Sequence, residues 1–309
     1  LKQLRGAIAD VSRQFGYAPI AVSTHPFSRW LEQKQTEKER YADLNREMQA
    51  TARRLLICGM HVHVGIEDRE LRIDIMNQLS YFLPHLLALS TSSPFWEGEH
   101  TGLKSYRLTV FDALPRTGIP EQFASYAEYE RHVGVLIAAG LIDDSSRIWW
   151  DLRPSARFPT LETRIMDVCT HIDHALSLVA LTACLIRMLF RLRRNNQRWR
   201  VYANMLINEN RWRAMRYSFD EGMIDLAKGE IVPFDVLLEE LIGFVAEDAQ
   251  ALNCEAEIAH CRDILRQGTS AHRQLDIYDQ ARSRGVPVDA ALREVVDWLI
   301  GETVDGIQE

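Results

Sequence analysis

Apolar and polar residues follow two rhythms along this chain, and the rhythm changes near residue 170. Before that point apolar residues gather in short runs of period two, which predict strands over Tyr17–Ser23, Arg54–Ile66, Arg147–Ser155 and Pro159–Val168. Helical spacing separates them at about 37–52, 68–91 and 125–140, and beyond 170 nearly the whole chain reads as helix. The opening stretch "LKQLRGAIADVSRQFG" spaces Leu1, Leu4, Ile8, Val11 and Phe15 by three and four. That spacing predicts an internal amphipathic helix and not a signal peptide, and with Leu in place of an initiator Met the sequence is expected to begin mid-fold. The pattern is α+β, with residues 1–309 read as a single catalytic domain whose 170–309 part is mainly helical.

Two loops stand out for their length and aromatic content, Ser90–Ser105 and Leu114–Phe123, and both suit the walls of a site. The most apolar run, Ala175–Ile186, is about a dozen residues long and stops at Arg187, so it reads as a core helix with no membrane role. A formal charge of −7 argues against a general nucleic-acid or anionic-membrane binder. Five scattered cysteines without a C-x-x-C pair point to a reduced, cytoplasmic setting. Six arginines between Arg187 and Arg200 fall at a helix end, where they complement the helix dipole and stay solvated.

Chemistry enters with the strands. In "MHVHV" the period of two puts His61 and His63 on one face; in "WDLR" Asp151 and Arg153 share a face; in "LETRI" Glu162 and Arg164 do. If those strands are neighbours in one sheet, their polar rows form a floor of imidazole, carboxylate and guanidinium groups. Such a floor suits a divalent cation and an anion together, because Glu162 and the histidines are ligand types while Arg153 and Arg164 grip carboxylate or phosphate oxygens. His85, His171, His174, His260 and His272 lie in helical stretches and read as helix-surface or helix-cap residues.

A longer set of motifs carries a resemblance. "THPF" at Thr24–Phe27, Arg40 and Tyr41, "CGMHVHVG", "STSSPFWEGEHTGLKSYR" ending at Arg107, "WWDLRPSARFPTLETRIMDV" and "RWRAMRY" at Arg211–Tyr217 together resemble, in that order, the type 2 glutamate–cysteine ligase family of bacterial carboxylate–amine ligases. The resemblance implies a curved, mainly antiparallel sheet of the glutamine synthetase catalytic type with helices packed on one side. It implies that ATP phosphorylates a carboxylate and that an amine then displaces phosphate to form an amide, with ATP and Mg2+ required. Residue by residue, it implies Mg2+ on Glu162 and His61, the nucleotide near His63 and Arg211, the transferring phosphoryl group or substrate carboxylate on Arg164, and further anion contacts from Arg153 and Arg107. His25 and Asp151 fall on the substrate side, Asp151 also being placed to orient an arginine. The expected partners are small-molecule substrates, an amino-acid carboxylate and an amine, and the expected assembly is a homodimer. The family's glutamate-rich opening strand does not precede Leu1, so part of the metal site is expected to lie outside this sequence. Two other readings stand beside this one: an H-x-H metal hydrolase on a parallel barrel, and a non-catalytic relative that binds nucleotide or amino acid.

Overall fold

A computed structural model describes residues 1–33 and 48–307; Arg40, Tyr41 and most of the helix expected over 37–52 lie outside the described residues. Among the described residues the strands, in chain order, are β1 (Val62–Gly65), β2 (Phe95–Trp96), β3 (Glu99–His100), β4 (Leu152–Pro154), β5 (Thr160–Thr163), β6 (Met223–Asp225) and β7 (Glu230–Val232). They form one three-stranded antiparallel sheet of order β1-β5-β4 and two hairpins, β2–β3 and β6–β7. A parallel barrel, and with it the hydrolase reading, is ruled out by that antiparallel order.

The strands are shorter than their period-two runs predict, and the hydrogen bonds show why. Between the pairs Val62↔Thr163 and Gly59↔Asp167 one chain advances three residues and the other four, a bulge that ends regular pairing. The Trp149 and Asp151 N–H groups donate to the carbonyls of Arg116 and Gly118, so the start of the Arg147–Ser155 run is bound to a loop. Tyr17–Ser23 forms no strand; beside it, Thr24 makes a single bridge to Ile57.

Helices build the layer beneath. The segment expected as one helix over 68–91 breaks into Arg69–Leu79, a 3-10 turn at Ser80–Phe82 and Leu83–Ala88, where Pro84 occupies a first-turn position that needs no N–H. Asp68 caps the first of these by accepting from the Leu71 N–H at 2.9 Å, and Ser125 caps Tyr126–Ala138 by accepting from the Glu128 N–H at 3.1 Å. The apolar run after residue 170 belongs to a longer helix than expected, Ile172–Arg194, whose 23 residues are long and apolar enough to cross a membrane. It is nevertheless a core helix: Leu178, Leu181, Leu185 and Leu189, one per turn, are fully buried, and Phe234–Leu252 and Glu255–Gln267 pack along it. Helices Arg69–Leu79 and Ile172–Arg194 also lie against the sheet, where they cover the face that carries Val62, Leu152 and Leu161. The opposite face is left for His63, Arg153 and Glu162.

Three surface expectations change in the folded chain. The Lys2–Gln14 helix turns its polar side inward, with Arg5 donating to the carbonyls of Thr170 and Cys169 and Lys2 pairing with Asp173 at 3.0 Å, while Leu4 and Phe15 are 67% and 72% exposed. Four of the arginines after residue 186 are held by carboxylates of the same chain, Arg187 and Arg191 by Asp248 and Arg193 and Arg198 by Asp74. His171 and His272 do serve as helix caps, but His85 and His174 are buried. His85 sits among the rings of Tyr81, Phe82 and Phe234, its Nδ1 buried with no hydrogen-bond partner among the described residues.

Candidate active site

Strand register makes the site. Antiparallel pairing sets His63 of β1 and Arg153 of β4 on either side of Glu162 in β5, so one row of the sheet reads His63–Glu162–Arg153. The Glu162 carboxylate accepts from Arg153 Nε at 2.9 Å through Oε2 and from Arg164 Nη1 at 2.5 Å through Oε1. His61 Nδ1 lies 3.3 Å from Oε1 and 3.3 Å from Arg164 Nη1, and His63 Nε2 lies 3.7 Å from Oε1. Arg153 is fixed from behind by the carbonyls of Ser146 and Ile148. Five predicted residues on three strand segments therefore meet around one carboxylate.

Charge follows from that geometry. Burial opposes ionisation of Glu162, but the Arg153 hydrogen bond and the charge of Arg164 outweigh it and hold the carboxyl below its usual range. Burial, reinforced by the neighbouring Arg164 charge, drives His61 down to about 3, so its imidazole is neutral at neutral pH. Arg164 is lowered to about 10 by burial and by Arg153, and it stays charged at neutral pH. Two guanidinium groups thus face one carboxylate and two imidazoles, and the Arg164 Nε is buried with no hydrogen-bond partner among the described residues. The row carries an excess of positive charge and an unanswered donor.

The remaining predicted residues stand at different removes. Arg107 lies behind the H-x-H segment, its guanidinium donating to the carbonyls of Arg164 at 3.1 Å and Ile165 at 3.2 Å. It fits only because residue 59 is glycine: a Cβ there would stand 2.2 Å from Arg107 Nη2. Asp151 is buried and accepts from Arg211 Nε at 2.7 Å, while the other side of that guanidinium is gripped by both oxygens of Asp112 at 2.7 and 2.9 Å. Arg211 is thus a doubly clamped, buried charge and presents no free fork. His25 accepts from the N–H groups of Phe27 and Ser28 at its Nδ1, and burial lowers its pKa. Among the described residues no hydrogen bond joins it to the Glu162 row.

As a metal site the row is incomplete. Mg2+ takes about six oxygen ligands in near-octahedral array, yet both Glu162 oxygens already accept from arginine, and among the described residues no group of three or more His, Cys, Asp or Glu side chains is arranged to hold an ion. The described donor set does not by itself fit magnesium.

Comparison with known proteins gives the family. Residues 1–294 match the profile of glutamate-cysteine ligase family 2. The chain belongs to that family. Membership makes it an ATP-dependent carboxylate–amine ligase, an enzyme that forms an amide bond. A relative from Rhodospirillum rubrum, provisionally named glutamate–cysteine ligase 2, is 62% identical over 304 residues, covering 98% of this chain and 78% of the relative. A second of the same name from Ruegeria pomeroyi is 55% identical, again covering 98% of this chain and 78% of its own length. Among solved structures, a glutamate–cysteine ligase from Francisella tularensis in complex with AMP superposes with a TM-score of 0.63 at 10% identity, covering 94% of this chain and 74% of that one. A bifunctional glutathione synthetase from Pasteurella multocida gives 0.63 at 12% identity, covering 97% of this chain, which spans 45% of its length. At those identities the two structures show a shared fold.

Several residues around the candidate site escaped the sequence reading. Thr160, whose Oγ1 lies 2.9 Å from His63 Nδ1, orients that ring; it sits two residues before Glu162 on the same strand face, so the signal was present. Asp112 completes the clamp on Arg211 from 99 residues away, and no local pattern marks it. Asp167 is wholly buried and accepts from the Ser92 N–H and the Ser93 and Ser105 hydroxyls at 2.9, 2.7 and 3.0 Å. It ties the Ser90–Ser105 segment, expected as a site wall, into the interior next to Arg107.

Proposed function

We propose that the Glu162 row is the floor on which this ligase aligns two anions, a substrate carboxylate and the γ-phosphate of ATP, and that the reaction runs through an acyl phosphate. The observation that carries this reading is the buried carboxylate of Glu162 held between Arg153 and Arg164, with the Arg164 Nε donor still unanswered. A carboxylate oxygen attacks the γ-phosphorus and ADP leaves; an amine then attacks the acyl carbon, phosphate leaves, and the amine proton is lost. Both anions repel until their charge is neutralised, and catalysis of this kind is mostly positioning and electrostatics. Arg164 and Arg153 supply that neutralisation, and the neutral imidazole of His61 can face a phosphoryl oxygen or an ion without adding charge repulsion of its own. His63, half-exposed at the edge strand, lies on the nucleotide side.

Arg211 and Asp151 serve by fixing the chain behind the row, and Arg107 by fixing the backbone of Arg164 and Ile165. His25 marks the substrate side. Mg2+ would be held by Glu162 and His61 only together with further oxygen ligands beyond those described. Glutamate and cysteine are the proposed substrates, consistent with the names of the relatives. We take residues 1–309 as one catalytic domain, its sheet as a curved one of the glutamine synthetase type, its location as cytoplasmic in keeping with five unpaired cysteines, and its assembly as a homodimer for which the outward apolar stripe of the first helix is the motivating surface.

The test is ADP release from ATP and Mg2+ against a panel of amino-acid carboxylates and amines, glutamate plus cysteine included. ADP that forms only when acid and amine are both present establishes the substrates. Glu162→Gln is expected to lower that rate at least about a hundredfold, the scale of a lost electrostatic group at a reacting centre, with helical circular dichroism unchanged. Turnover by this variant equal to the parent's would remove the assignment.

A further inference from the structure

A cleft of about 510 Å3 opens away from the Glu162 row, none of whose residues lines it. It forms where the first turn of Ile172–Arg194 meets the junction of Glu255–Gln267 with Ser270–Ser283 and the end of Val288–Val304. The wall carries both signs of charge: Arg266 and Arg273, the carboxylate of Glu302, and the rings of His171, His174 and Trp298.

These groups are only partly answered by the protein itself: Arg266 pairs with Asp263, and His171 lies 4.0 Å from Asp173 and from Asp305. Glu302 makes no ion pair within 4 Å among the described residues, and burial raises its carboxyl pKa against the pull of His171. Arg273 reaches Asp276 at 3.8 Å, and its side chain is half-exposed. His174 is 9% exposed and makes no hydrogen bond among the described residues; its neighbours are the rings of His171 and His260, with centroids 5.2 and 5.3 Å away. Burial and those two imidazoles drive it down to about 3, which leaves a neutral ring with unmatched nitrogens in a polar cleft. Its ring nitrogens are reached from the cleft, where a ligand or water can answer them.

We propose that this cleft binds a free α-amino acid as a zwitterion, its carboxylate on Arg266 and Arg273, its ammonium on Glu302 and its side chain toward Trp298, with His174 supplying a hydrogen bond. Two guanidinium groups alone would suit a phosphate as well. The carboxylates of Glu302 and of Asp305, which also lines the cleft, repel a polyanion and select a ligand that carries its own positive charge. The volume is within the range of small-molecule sites. The inference does not depend on the chemistry proposed at the Glu162 row.

Isothermal titration calorimetry at neutral pH with each of the common L-amino acids tests it, using the Arg164→Gln chain, which lacks a guanidinium that the row offers to a substrate carboxylate. Saturable binding of at least one amino acid is expected. Arg273→Gln and Glu302→Gln should each weaken it about tenfold or more, the loss of one charged contact, and the same acid lacking its amino group should bind at least about tenfold more weakly. The ring nitrogen resonances of His174 should shift on saturation in the otherwise unaltered chain, a readout independent of either substitution. Absence of binding across the panel overturns the proposal. So does binding that survives both substitutions, and amine-free acids binding equally well would make the cleft a plain anion site. ADP release by Arg273→Gln reports on the ligase reading separately, so failure of one reading is distinguishable from failure of the other.

Discussion

At the residue scale the site depends on small groups as much as on charged ones. Gly59 leaves room for the Arg107 guanidinium, which holds the backbone from which Arg164 projects. Gly59→Ala puts a methyl 2.2 Å from Arg107 Nη2, so the buried arginine must shift and lose carbonyl acceptors. The expected cost is about 1–3 kcal/mol in urea unfolding, the usual range for overpacking in a tight interior, together with reduced ADP release. An unchanged unfolding midpoint would show that Arg107 is not held as described. Thr160 acts more gently, as the hydroxyl that sets the orientation of His63.

At the element scale one buried ion cluster ties three segments together. Arg211 on the Asn204–Tyr217 helix reaches Asp151 at the entry to β4 and Asp112 just beyond the Arg107–Phe111 helix. Arg211 is pushed up by its two carboxylates despite burial, while burial raises Asp112 against the pull of Arg211. Removing one partner of such a cluster leaves an unpaired buried charge and costs about 3–5 kcal/mol, whereas removing all of it costs far less. Arg211→Met should therefore lower the urea midpoint strongly, and adding Asp112→Asn and Asp151→Asn should recover much of the loss. Equal instability of the single and triple variants would argue against a charge effect.

At the scale of the whole molecule, buried histidines set the acid limit. His85 is lowered to about 4 by burial, and His61 and His174 to about 3 by burial together with neighbouring positive charge, all from 6.5. Their folded forms stay neutral where the unfolded chain takes up protons, so stability is full above about pH 6.5 and is lost as pH falls from there toward 4 and 3. His85 and His174, both buried, each contribute a slope of up to about 1.4 kcal/mol per pH unit within that window, and His61, its side chain 35% exposed, contributes less. Glu162, with its carboxyl held low, adds a further loss below the ordinary carboxylate range. Thermal unfolding between pH 7.5 and 4 should show this decline, and His85→Phe, which keeps a ring among Tyr81, Phe82 and Phe234, should flatten it. A parallel decline in parent and variant would place the titration elsewhere.

What the sequence determined by itself was local: the period-two runs around His61, Arg153 and Glu162, the change to helix beyond residue 170, the helical spacing that begins near 68 and 125, and the motif order that marks the family. These depend on neighbours within a few residues, where spacing alone decides which face a side chain takes. Tertiary structure decided what joins across distance. The β1-β5-β4 order turned three separate polar pairs into one row, and the clamp on Arg211 recruited Asp112 from far along the chain. It also decided which charges are occupied: the guanidinium groups of Arg107 and Arg211 are held by groups distant in sequence, which no periodicity records. The outward apolar stripe of the first helix is of the same kind, since an amphipathic pattern specifies two faces and only packing chooses which one is covered.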